Sequence, residues 1–424
     1  MYEYALVWEW MAFAVRWLHV VTAIAWIGSS FYFIALDLGL RRAPDLPEGA
    51  HDEEWQGEQW RGEQWQIHGG DLYQIRRFGV APAEMPEHLT WFRWESYATW
   101  LSGATLLAIV YWAGAELFLI DPAKADLAPW QAIALSATSL VLGWVVYDRL
   151  CKSPLGEHPA TLMPLLFALL VATGWSYSQI FTGRAMMLHM GAFAATIMTA
   201  NIAHIIIPSQ RIIVADLRAG RKPDPKYGRT ARLRATHNNY LTLPVIFLML
   251  SNHYPLAFAT EYNWLIAALV FLMGVVIRHG FNTRHARAGN PRWTWLAAVV
   301  LFALIVWLSS LAPRDHEPGA TQNMRPGHSR FAEAAGFKEA VQLVQGRCSL
   351  CHGQEPAWEG MIVPPRGVIL ESEAEIAARA RDIYLQAGRS HAMPPPFTAK
   401  FGITLSVQER KLLVNWYENA LSGS

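Results

Sequence analysis

Up to about residue 312 the chain alternates long apolar runs with shorter polar stretches, and beyond that point the rhythm changes. Eight runs approach the roughly 20 residues an α-helix needs to cross a bilayer. They are Trp10 to Leu36, Tyr97 to Phe118, Ile133 to Leu150, Leu162 to Phe181, Met186 to Val214, Tyr240 to Ser251, Trp264 to Ile277 and Trp293 to Leu311. The sixth and seventh reach that length only with flanking His and Tyr residues. Residues 313–330, with Pro313, Pro318, Gly319, Pro326 and Gly327, read as a linker. In residues 331–424 the apolar positions recur at helical spacing and predict three helices, Phe331 to Gln345, Glu371 to Ala387 and Ser406 to Leu421. Ser406 and Glu409 form a capping box ahead of an apolar face of Leu412, Leu413, Trp416 and Tyr417. The pattern predicts an all-α chain: a polytopic membrane bundle of about eight transmembrane helices over residues 1–312, then a small helical domain.

Composition sharpens this picture. The 424 residues are 53% hydrophobic and only 16% charged, with 20 Trp and a net charge of +1, against about 45–50% apolar and about 25% charged in soluble proteins. The apolar content excludes disorder, and the lack of a basic excess argues against nucleic acid as a partner. The first run is flanked by Glu3 and Glu9 and is too long for a cleavable signal. Lys and Arg concentrate in alternate loops: the first, third, fifth and seventh carry about 20, the others about two, Lys124 and Arg184. The fifth is the clearest, with Arg218, Arg221, Lys222, Lys226, Arg229, Arg232 and Arg234. Both termini are therefore expected to face away from the cytoplasm. The first loop, about Asp37 to Phe92, is rich in Trp and Gly and repeats Gly-Glu-Gln-Trp at Gly57–Trp60 and Gly62–Trp65. A local duplication packed against the membrane face is one reading of it. A loop this long is otherwise uncommon unless functional.

Chemistry enters at Cys348-Ser349-Leu350-Cys351-His352, which has the spacing of a c-type haem attachment site. Two thiols would bond the porphyrin, and the adjacent His352 would ligate the iron. A Cys-x-x-Cys pair alone would also suit zinc or thiol redox chemistry. The following His and the short helical domain favour haem c. Met393, in Ser390-His391-Ala392-Met393-Pro394-Pro395, is the favoured second axial ligand, with Met361 and His391 as competitors. The domain resembles a small class I cytochrome c, whose crossed terminal helices would be those carrying Phe337 and Trp416. Haem c is attached outside the bacterial cytoplasm, where the loop charges also place the C-terminus. A bacterial inner membrane with the tail in the periplasm is expected.

Ionisable residues inside spans are functional hypotheses by default. His19 lies in the first run, between Trp17 and Trp26 and near Gly28 and Ser29; His189 and His204 lie in the fifth. The 15-residue separation of the latter two would point them to similar sides at opposite depths. These three are the candidate ligands of an intramembrane haem b, the alternative being a hydrogen bond from each to a neighbouring carbonyl. Zinc is disfavoured because the histidines form no short-range cluster. Arg93 and Glu95 open the second run, and Thr236-His237-Asn238-Asn239-Tyr240 opens the sixth. Two adjacent amides there would suit the edge of a heterocycle. Cys151 reads as an apolar packing residue.

The stretches Trp65-Gln66-Ile67-His68-Gly69-Gly70-Asp71-Leu72-Tyr73, Trp91-Phe92-Arg93-Trp94-Glu95-Ser96-Tyr97 and His237-Asn238-Asn239-Tyr240-Leu241-Thr242-Leu243-Pro244 resemble the bacterial membrane-bound urate oxidases (urate hydroxylases). That family combines eight spans with a cytochrome c tail. A shorter likeness links the region of His19 to the haem-binding first helix of membrane protoporphyrinogen oxidases and copper-resistance membrane proteins. The resemblance implies oxidation of urate to 5-hydroxyisourate, with electrons passed through haem c to an external cytochrome or terminal oxidase. For a planar anion, Arg93, Asn238, Asn239, Trp65 and Tyr73 would be the binding residues, and His68, Glu95 or His237 the base. The substrate motifs then lie on the cytoplasmic side and haem c on the other, which favours a haem b between them. A quinol-oxidising b/c-type conduit and a transporter with a fused cytochrome are the competing readings. A homo-oligomer stays open.

Overall fold

The computed structural model describes residues 2–41, 62–77, 86–121, 124–311, 326–358, 364–390 and 392–422. Its membrane part begins with α1 (Tyr2–Gly39) and α2 (Trp94–Leu106), which continues as a π-helical turn over Leu107–Trp112 and a second over Ala115–Leu119. Then follow α3 (Pro129–Lys152), α4 (Pro159–Ile180), α5 (Gly183–Asn201), α6 (Ile207–Arg218), α7 (Pro225–Leu250), the single turn α8 (Pro255–Phe258), α9 (Asn263–His285) and α10 (Trp293–Ser310). Proline opens α3, α4 and α7, where its missing N–H costs nothing. Thr182 caps α5 by accepting from the Ala185 amide, and Asp224 caps α7 by accepting from that of Lys226.

Six segments among the described residues are long and apolar enough to cross a membrane: Trp10–Gly39, Pro129–Lys152, Pro159–Ile180, Gly183–Arg218, Asn263–His285 and Trp293–Ser310. The other two expected runs are helical but fall outside that set. The α-helical part of the second stops at 13 residues, where the π turns begin. In α7 the first half carries Lys226, Arg229, Arg232 and Arg234, so its apolar part is short.

Burial orders the bundle. In the span formed by α5 and α6, 56% of the most apolar window is buried, against 6% in α1. So α5 is the central helix and α1 lies at the periphery. The reason is local: α5 is built of Ala, Gly and Met around Met186, Met187, Met190 and Ala194, all essentially inaccessible. Soft, unbranched side chains fill irregular gaps between helices. Gly143 on α3 lets Phe193 of α5 approach, since a Cβ there would stand 1.9 Å from its ring.

One element departs from an all-helical chain. Within the first loop, β1 (Gly62–His68) and β2 (Asp71–Arg77) form an antiparallel hairpin. Its two-residue turn is Gly69-Gly70, both at positive φ (62° and 93°), as a primed hairpin turn requires. The second Gly-Glu-Gln-Trp copy opens β1; the first lies outside the described residues.

The tail contains α11 (Pro326–Glu333), α12 (Phe337–Arg347), α13 (Ser349–His352), α14 (Glu373–Ala378), α15 (Ala380–Ile383) and α16 (Val407–Ser422). The expected helix from Glu371 to Ala387 is divided, and ends in a π turn over Tyr384–Arg389. The Ser406–Glu409 box is formed in both directions, at 2.6 and 3.2 Å. Trp416 is almost fully buried, packs 5.7 Å from the Phe337 ring and donates its indole N–H to the Phe331 carbonyl at 2.8 Å.

Candidate functional site

Where α3, α5 and α7 meet, their polar residues form one buried network. Asp148 on α3 accepts from Arg234 on α7 at 2.7 Å and pairs with Lys152 at 2.6 Å. Arg234, 1% exposed, also donates to the Asn201 side-chain oxygen at 3.3 Å and lies 4.9 Å from the Tyr147 ring. Asn201 donates to the Tyr147 oxygen and to the Asn238 oxygen, each at 3.0 Å. The Tyr147 hydroxyl is also hydrogen-bonded to His237 Nδ1, 2.8 Å away. This contact holds the imidazole by Nδ1 and leaves Nε2 as the nitrogen with no hydrogen bond among the described residues.

Asn238 and Asn239 do not act as a pair. Neighbours on a helix diverge by about 100°, so they meet different partners. Asn238 turns to α5, donating to the Met198 carbonyl at 2.9 Å. Asn239 turns to α9, where its oxygen accepts from Arg278 at 3.3 Å and from Asn282 at 3.0 Å. Arg278 in turn stacks 4.1 Å from the Phe31 ring. The Asn239 amide nitrogen is buried and makes no hydrogen bond among the described residues, and the same holds for one carboxylate oxygen of Glu95. Glu95 opens α2, which is tied to α5 by Ser96–Thr199 and Trp100–Thr196 contacts, both 3.1 Å. An unpaired buried donor or acceptor costs about 1–3 kcal/mol. Both atoms therefore have capacity left for a ligand, as do the buried Trp144 indole N–H and the Asn263 side-chain oxygen among the described residues. Arg93 is half-buried, 5.9 Å from the Trp94 ring.

The three intramembrane histidines differ. Nδ1 of His19 faces two acceptors, the Thr99 carbonyl at 3.0 Å and the Ser102 oxygen at 3.1 Å, whose own proton goes to Ala98. Nδ1 is therefore protonated, and Nε2 keeps a lone pair that no described residue engages. Gly103 makes room for this ring: a Cβ there would stand 2.9 Å from it. His189, wholly buried, is satisfied at both nitrogens. Nδ1 donates to the Ala185 carbonyl and Nε2 accepts from Ser136, both at 2.7 Å, while Trp112 donates to Ser136 at 3.0 Å. His204 does not share a side with His189: it is exposed, 5.0 Å from Trp144. The chain passes through a π turn at Ile202–Ile206, which shifts the helical phase between them.

Trp65, His68 and Tyr73 lie on the hairpin and are exposed. They are not part of the bundle's network.

In the tail, Cys348 and Cys351 flank the start of α13 as free thiols and His352 ends it. His352 donates from Nδ1 to the Val368 carbonyl at 2.9 Å, leaving Nε2 available to a ligand. Burial, with Cys351 adding, pushes the Cys348 thiol up to about 11. A dithiol redox centre needs the opposite shift. Cys348, Cys351, His352 and Met393 line one cavity of about 1680 Å³, whose other wall includes Arg184 and Asn252 of the membrane part. Arg184 and Tyr111 both donate to Asn252, at 3.2 and 2.7 Å. Two thiols, an imidazole of fixed tautomer and a thioether on one wall fit a covalently held haem. The competitors Met361 and His391 lie outside the described residues.

Sequence reasoning missed Arg410. Its guanidinium donates to the carbonyls of Ala387, Ser390 (2.9 Å) and Met393 (3.1 Å), and so pins the Met393 loop. It also missed Asn201, Arg234 and Arg278. Polar residues deep in apolar helices were the available signal.

A family model described as Urate oxidase N-terminal matches residues 5–309, and the chain belongs to that family. No curated protein and no solved structure matches the chain.

Proposed function

We propose that this member of the urate oxidase N-terminal family is a membrane-bound oxidoreductase that converts urate to 5-hydroxyisourate and delivers the electrons through haem c to an external cytochrome or terminal oxidase. The observation that carries the reading is the shared cavity: the Cys348–His352 motif and Met393 form one wall, and residues of the family-matched bundle form the other. Cys348 and Cys351 would hold the haem covalently, with His352 and Met393 as axial ligands. The group supplies one-electron acceptance when bound.

Urate and water give 5-hydroxyisourate with release of two electrons and two protons. The free Glu95 oxygen is the base that takes a proton from the attacking water. The free Asn239 N–H donates to a carbonyl oxygen of the substrate, His237 contacts it through Nε2, and Arg93 balances its charge. Trp65, His68 and Tyr73, exposed on the hairpin, are left out of this site. A haem b in the bundle would be held by His19 through its available Nε2; the engaged nitrogens of His189 suit a packing role. The orientation proposed is N-terminus and tail in the periplasm of a bacterial inner membrane.

Anaerobic addition of urate to the oxidised, detergent-purified protein tests the reading. Appearance of the reduced haem c band with formation of 5-hydroxyisourate is the expected outcome. Reduction by a quinol but not by urate would contradict it and leave an electron conduit.

A further inference from the structure

The hairpin has two unlike faces. Its register puts Gln64, Gln66, Tyr73 and Ile75 on one side and Trp65, Ile67, Leu72 and Gln74 on the other. The first side is seated on α1. Glu63 and Arg41 exchange two main-chain hydrogen bonds, at 3.0 and 2.6 Å. Gln64 covers Gly39, where a Cβ would stand 3.0 Å from its amide. Gln66 accepts from the Tyr32 hydroxyl at 2.8 Å.

These contacts set the direction of β1, which runs back along α1 from Gly39 toward Tyr32. Seven helical residues are about 10 Å of rise, and the two further strand residues to His68 add about 7 Å. The hairpin therefore lies beside the last part of the apolar span, not beyond its end. That span, Trp10–Gly39, has 30 residues, or about 45 Å of helix against a hydrocarbon core of about 30 Å. The excess of about 15 Å extends into the headgroup zones, and the hairpin lies beside the part of it at the loop end.

Its outward face is open and apolar toward the turn, with Glu63 accepting from Trp65 and Gln74 at the other end. Trp65, Ile67 and Leu72 are 55%, 79% and 63% exposed. Ile24 and Tyr32 of α1 are exposed too, as are Phe92 and Trp94 at the far end of the loop. Trp and Tyr concentrate at this depth because their rings are apolar and their tips polar. The polar tip, His68 and Asp71 around the two glycines, suits headgroups rather than acyl chains.

We propose that the hairpin is an interfacial anchor: its Trp65–Ile67–Leu72 face beds in the headgroup zone of the leaflet on the loop side, and its partner is the bilayer surface. This is independent of the urate chemistry and requires only that the apolar helices span a membrane. Nitroxide labels at Ile67→Cys and Leu72→Cys, in full-length protein carrying Cys151→Ala in lipid nanodiscs, test it. The parent with Cys151→Ala alone supplies the background from Cys348 and Cys351. The ratio of oxygen to nickel-chelate accessibility at both sites should exceed that of Lys222→Cys, in an exposed loop, several-fold, and approach that of Val21→Cys on α1. A ratio equal to that at Lys222 would overturn the proposal by placing the hairpin in water. Low accessibility to both reagents would overturn it by placing the face under a second copy or another protein.

Discussion

The bundle and the tail handle polar groups in opposite ways. In the bundle, Asp148, Arg234, Asn201, Tyr147 and His237 satisfy one another in a relay of hydrogen bonds drawn from three helices. In the tail, the reactive groups lie within five residues of sequence and keep their ligating atoms free, with only His352 Nδ1 and the Met393 loop tied down. The first arrangement spends most of its polar groups on geometry and leaves a few atoms, those of Asn239 and Glu95 among them, for a ligand. The second is the attachment site proposed for a haem. A closed network that positions a few free atoms, beside an open motif proposed to hold a haem, suits an oxidation in one place with electron acceptance in another.

The contrast can be broken most sharply at His352. His352→Ala should abolish axial ligation, seen as loss of the low-spin haem spectrum, whereas Met393→Ala should keep attachment and lower the midpoint potential. An unchanged potential in the second variant would remove Met393 as ligand. On the bundle side, Asp148→Asn leaves Arg234 as an uncompensated buried charge, and thermal unfolding should show a loss of about 3–5 kcal/mol. Removing both charges, as Asp148→Leu with Arg234→Leu, should cost less than the single change. Trp416→Phe keeps most of the tail's packing but strands the Phe331 carbonyl, worth about 1–3 kcal/mol in denaturant unfolding.

The smallest effect concerns pH. The Ser406 amide donates to Glu409 and, with Arg347, holds its carboxyl below the ordinary value. A value lower in the folded than in the unfolded chain means the cap contributes fully above about pH 4.5 and fades as the pH falls further. Hydrogen exchange in the first turn of α16 should therefore accelerate on acidification, and Glu409→Gln should flatten that dependence, at a cost of about 1 kcal/mol or less.

The same contrast explains what was legible beforehand. The capping box and the Phe337–Trp416 contact depend on short spacings or strong helical periodicity, and each could be read directly. The helices of the bundle followed from their apolar runs. The network could not be read, because Asp148 and Arg234 are 86 residues apart and nothing local says that they meet. The phase shift at Ile202–Ile206 and the divergence of Asn238 from Asn239 are likewise set by which helices pack together. The hairpin was hidden for another reason: its Gly69-Gly70 turn is a recognised hairpin signal, but the stretch before it reads as a repeat rather than as a strand.

The most direct test of the account pairs Glu95→Gln and Asn239→Ala with two reductants. Urate should no longer reduce haem c in either variant, or should do so at least about 100-fold more slowly, while dithionite should reduce it as in the unaltered protein. If urate reduces haem c at the unaltered rate in both, the free atoms of the bundle are not the substrate's partners and the central claim fails.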